Sequence, residues 1–458
     1  MNRIALVNVV GLAPRFLDDR MPRLRDFASA GRAVPIETIT PAVTCSVQST
    51  MLTGAMPSGH GIVANGWWDR DFAEPRFWKQ SNQLVQGEKI WDIAKQRDAS
   101  FTCANLFWWF NMYSGADIAV TPRPMYPADG RKIPDIWTNP PALRDELQSE
   151  LGQFPLFKFW GPMAGIESSA WIAECAKIVE QQHSPTLSLV YLPHLDYNLQ
   201  RLGPDDTRID DDLRAIDTVT GDLIDHYIAR GVTPIILSEY GVTPVSRPIH
   251  INRALREAGL LAVRDELGRE IPDFAAGAAF AIADHQIAHI CVNDTQRTDE
   301  IRALIASLPC VEVVLDDEGK RARGLDHPRS GDLIAISDAD AWFTYDFWLE
   351  EDKAPDYART VDIHRKPGYD PRELFIDPSL AAPKARIAWK LLKKKLGFRT
   401  LLDVIPLDAS LVKGSHGRPT DDPNDGPVLI TSSTRSTERE FTRAAEIRDL
   451  ALQCVFDS

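Results

Sequence analysis

The chain has 458 residues, longer than one hydrophobic core usually serves, which predicts one large domain with an insertion or two domains. Hydrophobic residues make up 44% and charged residues 25%, an ordinary globular balance that excludes disorder as the starting assumption. The formal net charge of −14 repels nucleic-acid backbones and anionic membranes, so general nucleic-acid binding and membrane association are set aside, while a nucleotide-sized ligand in a local pocket remains open.

The chain opens with a short apolar run, Ile4 to Val10, which reads as a buried strand. That run lacks the length and the small-residue cleavage site of a secretory signal, and no apolar stretch is long enough to span a bilayer. Further strands are expected at Leu187 to Leu192, Thr233 to Leu237, Leu333 to Ile336 and Val428 to Ile430. Helical patterns lie between them, at Trp171 to Gln181 and at Leu213 to Ala229, where Leu213, Ile216, Val219, Leu223 and Ile224 recur at helical spacing. Strands alternating with helices predict an α/β fold with a mostly parallel sheet covered on both faces. Chemistry in such folds collects in loops at the carboxyl ends of strands, here after Val10, around Asp196 and around Glu239. Residues from about Asn252 to about Pro406 are more mixed, and an inserted cap is placed at 252–406, leaving 1–251 and 407–458 as the core. The six cysteines are far apart with no metal-ribbon spacing, which reads as free thiols in a reducing, cytoplasmic setting.

The most informative stretch runs from Thr40-Pro41-Ala42-Val43-Thr44-Cys45 through Thr53-Gly54 to Pro57-Ser58-Gly59-His60-Gly61-Ile62 and Asn65. A threonine at the start of a helix sits where free backbone N–H groups and the macrodipole favour negative charge. The bland role for such a threonine is a helix cap. Three further segments follow: Asp196 with Gln200 and Gly203-Pro204, then Ser238-Glu239-Tyr240-Gly241, then Gly414-Ser415-His416-Gly417.

In this order the motifs resemble the type I phosphodiesterase/nucleotide pyrophosphatase family of the alkaline phosphatase superfamily. The resemblance covers roughly the first 250 residues and the segment near His416. It implies an alkaline-phosphatase-like three-layer sandwich with an inserted cap. It implies Thr44 as nucleophile and Asn65 as a donor to a phosphoryl oxygen. It also implies two metal ions held by three carboxylates and three histidines, and here the sequence departs. Asp196, Glu239 and His416 remain as ligands. Gln200 stands for a histidine, Glu239-Tyr240 for an Asp-His pair, and Val10 for a first-strand aspartate, with Asn8 two residues earlier on the same strand face. Gln200, Tyr240 and Asn8 are weaker candidates. This oxygen-rich set suits magnesium or manganese better than zinc, and one divalent ion rather than two. The implied reaction is metal-dependent hydrolysis of a phosphodiester or nucleotide pyrophosphate. A binding protein that lost catalysis and a phosphonate hydrolase are the alternatives. The sulfatase signature is missing, since Cys45-Ser46-Val47-Gln48-Ser49 has neither its proline nor its arginine.

Other residues bear on a site less directly. His364, between Asp362 and Asp370, can supply a further nitrogen ligand, act as a general acid, or belong to a solvated turn around Pro367-Gly368. Asp338 and Asp340 are candidates for a cleft edge. Trp67 and Trp68 are placed at the rim of a substrate pocket. His60 reads as structural. The basic stretch Lys384 to Lys395 reads first as a solvated helix face, with contact to an anionic surface or a membrane as the alternative.

Overall fold

The structure is a computed structural model that describes residues 1–398, 400–432 and 441–457. The strands that frame the site are, in chain order, Arg3–Val9 (β1), Arg32–Glu37 (β2), Cys103–Leu106 (β3), Ile118–Pro122 (β4), Ile136–Asn139 (β5), Leu187–Leu192 (β6), Val232–Leu237 (β7), Ala279–Asp284 (β8), Ile287–Val292 (β9), Val311–Leu315 (β10), Leu333–Ser337 (β11), Val428–Thr431 (β12) and Thr442–Arg443 (β13). Nine of them form one sheet in the order β13-β2-β12-β7-β1-β6-β3-β4-β5. Its middle five, β7-β1-β6-β3-β4, are parallel. Antiparallel partners flank them, β12 beside β7 and β5 beside β4. Strands β1 and β6 are apolar at almost every position and buried throughout apart from Arg3, as a strand covered on both faces must be.

The helices used below are Thr44–Thr53 (α1), Ile166–His183 (α2), His194–Leu202 (α3), Asp210–Ala229 (α4), Pro383–Lys395 (α5) and Ile447–Phe456 (α6). Helices α2 and α4 pack on each other and against β6 and β7, while α6 packs against β1 and α1. The expected strands and helices are present with ends shifted by a few residues. The run from Leu333 forms β11, which lies outside the main sheet in a second, antiparallel sheet ordered β8-β9-β11-β10. An apolar run announces burial but carries no information about which strand it will pair with. This second sheet has its own hydrophobic cluster, with Ile251, Leu255, Ile282, Ile290 and Trp348 at its centre.

The register of the parallel strands brings their carboxyl ends level. Asn8 lies opposite Tyr191 on β6 and opposite Leu237 on β7. Asp196, in the first turn of α3, and Glu239, two residues beyond β7, therefore emerge side by side. The β8–β9 hairpin approaches the same end, since its tip residue Gln286 donates its backbone N–H to His416 O at 3.0 Å.

Candidate active site

Thr44 is the first residue of α1, after an extended Val43, and is buried. The segment before it is tied to the His416 loop, as Ala42 N donates to Gly417 O at 2.8 Å. Gly417 has a φ of +117°, and a Cβ there would stand 3.0 Å from Gln286 N, so glycine lets the hairpin tip close in. The Asn65 side chain accepts from Cys45 N at 3.0 Å, satisfying one of the open amides at the head of α1. Its Nδ2 donates to Asp284 Oδ1 at 3.2 Å.

The Thr44 hydroxyl lies 3.2 Å from the Tyr240 hydroxyl, which in turn stands 3.4 Å from Asp196 Oδ1. Gln200, one turn along α3, donates to Asp196 Oδ2 at 2.7 Å and accepts from the Tyr369 hydroxyl at 2.8 Å. His416 Nδ1 is 2.8 Å from Ala42 O and must donate to it, which leaves Nε2 with a lone pair facing Asp196 Oδ1 at 3.8 Å. On the other side of Thr44, Glu239 Oε1 accepts from the side-chain amides of both Asn8 and Gln48. The structure thus gathers Thr44, Asp196, Gln200, Tyr240 and His416, with Asn8 and Glu239 beside them.

Two neighbours were not singled out from the sequence. Asp284 ends β8 and His285 turns the two-residue hairpin with a φ of +59°, a conformation that costs energy in a side chain of this kind. His285 Nδ1 is 2.7 Å from Asp284 Oδ1, and Asp284 Oδ2 accepts from Asn65 N at 2.7 Å. His285 Nε2 is buried with no hydrogen-bond partner. Its ring lies between Tyr369, 3.6 Å away, and His416, 3.8 Å away; Tyr240 stacks on the far face of His416 at 3.6 Å. Four rings thus form a column beside Asp196. An Asp-His pair closing an apolar run was the available signal, and it lay in a region whose patterning was too mixed to place at the sheet's end.

Burial dominates the electrostatics. It pushes Asp196 up to about 7, against hydrogen bonds from Gln200 and Tyr240. It pushes Glu239 up to about 8 and Asp284 up to about 6, opposed by the amides of Gln48 and Asn8 in the first case and of Asn65 in the second. The same desolvation holds His285 and His416 well below the ordinary imidazole value. Both imidazoles are therefore neutral and carry a lone pair on Nε2.

The metal expectation meets a mixed donor set. Among the described residues no three of His, Cys, Asp and Glu are arranged as a metal cage. The Asp196–His416 pair suits a cation nonetheless: two acceptor atoms confront each other at 3.8 Å, and ligands sharing one ion stand about 3–4 Å apart. Each histidine has its other nitrogen tied to a carbonyl or carboxylate, as metal-binding histidines usually do. The Glu239 side suits a cation less well. One of its oxygens is taken by two amides, and burial holds the Tyr240 phenol protonated.

The remaining candidates lie elsewhere. His364 is exposed, with Nδ1 3.4 Å from Phe77 O, and takes no part in the cluster. The following segment is no solvated turn: Lys366 and Asp370 form a buried ion pair at 2.8 Å, and Arg372 joins Asp370 to Asp346. Asp362 gives its backbone N–H to Glu373. Asp338 and Asp340 both pair with Arg247 at the surface rather than edging the cleft. Trp67 is buried with Cys45, Ile62 and Phe110 under the Arg329 guanidinium, and Trp68 leans edge-on against Phe274 and Phe280. The rings beside Asp196 are those of Tyr240, His416, His285 and Tyr369 instead. His60 is held inside the core by Thr50 and Ile62 N.

A family model for type I phosphodiesterases/nucleotide pyrophosphatases matches residues 4–370. An uncharacterised pyrophosphatase/phosphodiesterase of Schizosaccharomyces pombe is 25% identical over 217 residues, which cover 45% of this chain and 37% of that protein's length. Murine ectonucleotide pyrophosphatase/phosphodiesterase 5, solved as an inactive threonine-to-alanine variant with AMP, superposes with a TM-score of 0.59 at 15% identity, covering 99% of this chain and 95% of that one. Phosphonoacetate hydrolase of Sinorhizobium meliloti, solved with phosphonoformate, superposes with a TM-score of 0.63 at 14% identity over 99% and 96% of the two chains. At these identities the solved structures speak for the shared α/β fold.

Proposed function

We propose that this chain, which belongs to the type I phosphodiesterase/nucleotide pyrophosphatase family, hydrolyses a small phosphodiester or nucleotide pyrophosphate with Thr44 Oγ1 as nucleophile. The observation that carries this reading is the placement of the Thr44 hydroxyl at the head of α1, linked through Tyr240 to Asp196. Thr44 Oγ1 attacks phosphorus and its bond to the leaving oxygen breaks, leaving a phosphothreonine. The threonine proton moves to the Tyr240 oxygen while the Tyr240 proton moves to a phosphoryl oxygen, so no buried phenolate accumulates and Asp196 stays ionised; the leaving oxygen departs as an anion and takes its proton from solvent. Water then attacks the phosphothreonine, Thr44 Oγ1 regains its proton through Tyr240, and the proton that the water loses leaves with the phosphate product or to solvent. Asn65 Nδ2 has a second hydrogen beyond the one given to Asp284, and that hydrogen is available to a phosphoryl oxygen.

Asp196 and His416 would hold one divalent cation, with Glu239 the more distant candidate and magnesium or manganese preferred. When bound, such an ion supplies Lewis-acid stabilisation of phosphoryl oxygens. The inactive threonine-to-alanine variant of the murine protein supports a threonine mechanism in this fold. The four buried thiols Cys45, Cys103, Cys175 and Cys291, none in a disulfide, support a cytoplasmic setting.

The test is hydrolysis of bis(p-nitrophenyl) phosphate and of phosphonoacetate by wild type and Thr44→Ala, in EDTA, magnesium, manganese or zinc. Metal-dependent diester turnover lost in the variant is expected. Turnover of phosphonoacetate alone favours the phosphonate alternative. No turnover of either, with nucleotide binding retained, favours a binding protein.

A further inference from the structure

Helix α5 and the residues after it expose an unusual amount of apolar surface. Trp389 is 56% exposed, Leu391 53%, Leu392 47%, Leu396 65%, Phe398 64% and Leu401 44%. The spacing Ala385, Ala388, Trp389, Leu392, Leu396 puts one apolar stripe along the helix, and all five are exposed. Among the described side chains of α5 only Pro383, Ile387 and Lys390 are partly covered, so the helix rests on the protein by a narrow edge. A lone exposed leucine needs no explanation, but a continuous stripe does.

The charge around the stripe is the reverse of the molecule's. Residues 383–403 contain seven Lys or Arg and a single acid, Asp403, in a chain of net charge −14. Asp403 is engaged by Arg386 and Lys390. Lys393 lies 5.2 Å from the Trp389 ring, where its stem lines the stripe and its ammonium borders it. Lysines flanking exposed Trp, Leu and Phe on a 13-residue helix are the features of a segment that lies in a bilayer interface. No helix among the described residues is long and apolar enough to cross a membrane. Read by its charge alone the stretch favours a solvated face over a membrane contact; the exposed apolar stripe reverses that preference.

We propose that α5 and the following residues to Leu402 dock this protein on an anionic lipid bilayer. The apolar stripe enters the headgroup boundary and Lys384, Lys393 and Lys395 meet lipid phosphates and carboxylates. A second copy of the chain is the weaker occupant, because a twofold contact through this face would set the cationic cluster against itself. The strongly acidic remainder of the chain is repelled by the same lipids, so only this end faces the membrane. The inference is independent of the hydrolase reading, and its test needs no turnover.

The experiment is co-sedimentation of the full-length protein with phosphatidylcholine vesicles, with and without phosphatidylserine, at low and high salt. Wild type is expected to pellet with the anionic vesicles and to be released by salt. Leu392→Glu with Leu396→Glu, and separately Lys393→Glu with Lys395→Glu, are expected to weaken partitioning at least about tenfold while leaving the thermal melt unchanged. Failure of wild type to pellet, or equal pelleting by both double variants, overturns the proposal. So does a concentration-dependent dimer that Leu392→Glu/Leu396→Glu abolishes in a protein that ignores lipid.

Discussion

On one side of Thr44, Asp196 Oδ1 and His416 Nε2 face each other across 3.8 Å with no proton donor between them. On the other, Glu239 Oε1 is held by the amides of Asn8 and Gln48, and only Oε2 is left unpaired. Both sides are buried, and both carboxyls are pushed upward by desolvation. The difference lies in what solves the problem of a buried acid. Both acids take neutral donors, Glu239 from Asn8 and Gln48 and Asp196 from Gln200 and Tyr240, but on the Glu239 side no second acceptor confronts the acid. The Asp196 side leaves opposed acceptors, an arrangement that is comfortable only with a proton or cation between them. One side is therefore built to be stable as it stands and the other to be completed by something it binds.

The largest expected effect tests the residue between the two sides. Thr44→Ala should reduce diester turnover by at least about a thousandfold, since removing a covalent nucleophile leaves only binding and electrostatics. Thr44→Ser, which keeps the hydroxyl, should retain more activity than Thr44→Ala.

The next pair breaks the open side. Asp196→Asn and His416→Ala should each lower divalent-cation affinity by titration calorimetry, and turnover with it, by about a hundredfold or more. Asp284→Asn should cost less, about tenfold, because Asp284 acts through the rings of His285 and His416 rather than directly. If Asp284→Asn matched His416→Ala, the hairpin would be part of the cation site itself.

Stability against pH reads the same asymmetry without turnover. Asp284, Asp196 and Glu239 are raised to about 6, 7 and 8, above the ordinary carboxylate values they take unfolded. The folded state therefore binds more protons than the unfolded one in this range. The stability these groups contribute is fully present below pH 4 and is lost as pH rises through 6, 7 and 8, with a slope of up to about 1.4 kcal/mol per pH unit for each group. Thermal melts in EDTA should fall across that window. Added magnesium or manganese should flatten the fall by taking over the charge on Asp196, and a melt indifferent to both would count against an Asp196-centred cation site.

The parallel strands β1, β6 and β7 were legible because burial on both faces leaves an unbroken apolar run, and α4 because its apolar positions recur every three to four residues. Strand β11 was legible as a strand but not in its partners, since pairing depends on long-range packing. Within the site, Thr44, Asp196 and His416 stood in recognisable local motifs. Asp284, His285 and Tyr369 did not, because they reach the sheet's end through a hairpin and a distant loop, and their convergence is a tertiary property. Trp67 and Trp68 show the reverse error: proximity to Asn65 in sequence suggested a rim, whereas Trp67 is consumed by packing with Cys45 and Phe110.

The smallest expected effect is the sharpest test of the closed side. Glu239→Gln keeps an acceptor for the Asn8 and Gln48 amides and replaces only the atom left unpaired. Since burial already favours the neutral acid up to a pH of about 8, the substitution removes little charge at neutrality. Turnover should change by less than about threefold, and the variant should be at least as stable as wild type at neutral pH, because the amide is spared the protonation cost that the raised carboxyl carries there. The downward trend in melting temperature above pH 7 should also become shallower, because one of the titrating groups is gone. A hundredfold loss of turnover with an unchanged melt would mean that Glu239 works as an anion beside Thr44. The two sides would then share the chemistry rather than divide it between support and binding.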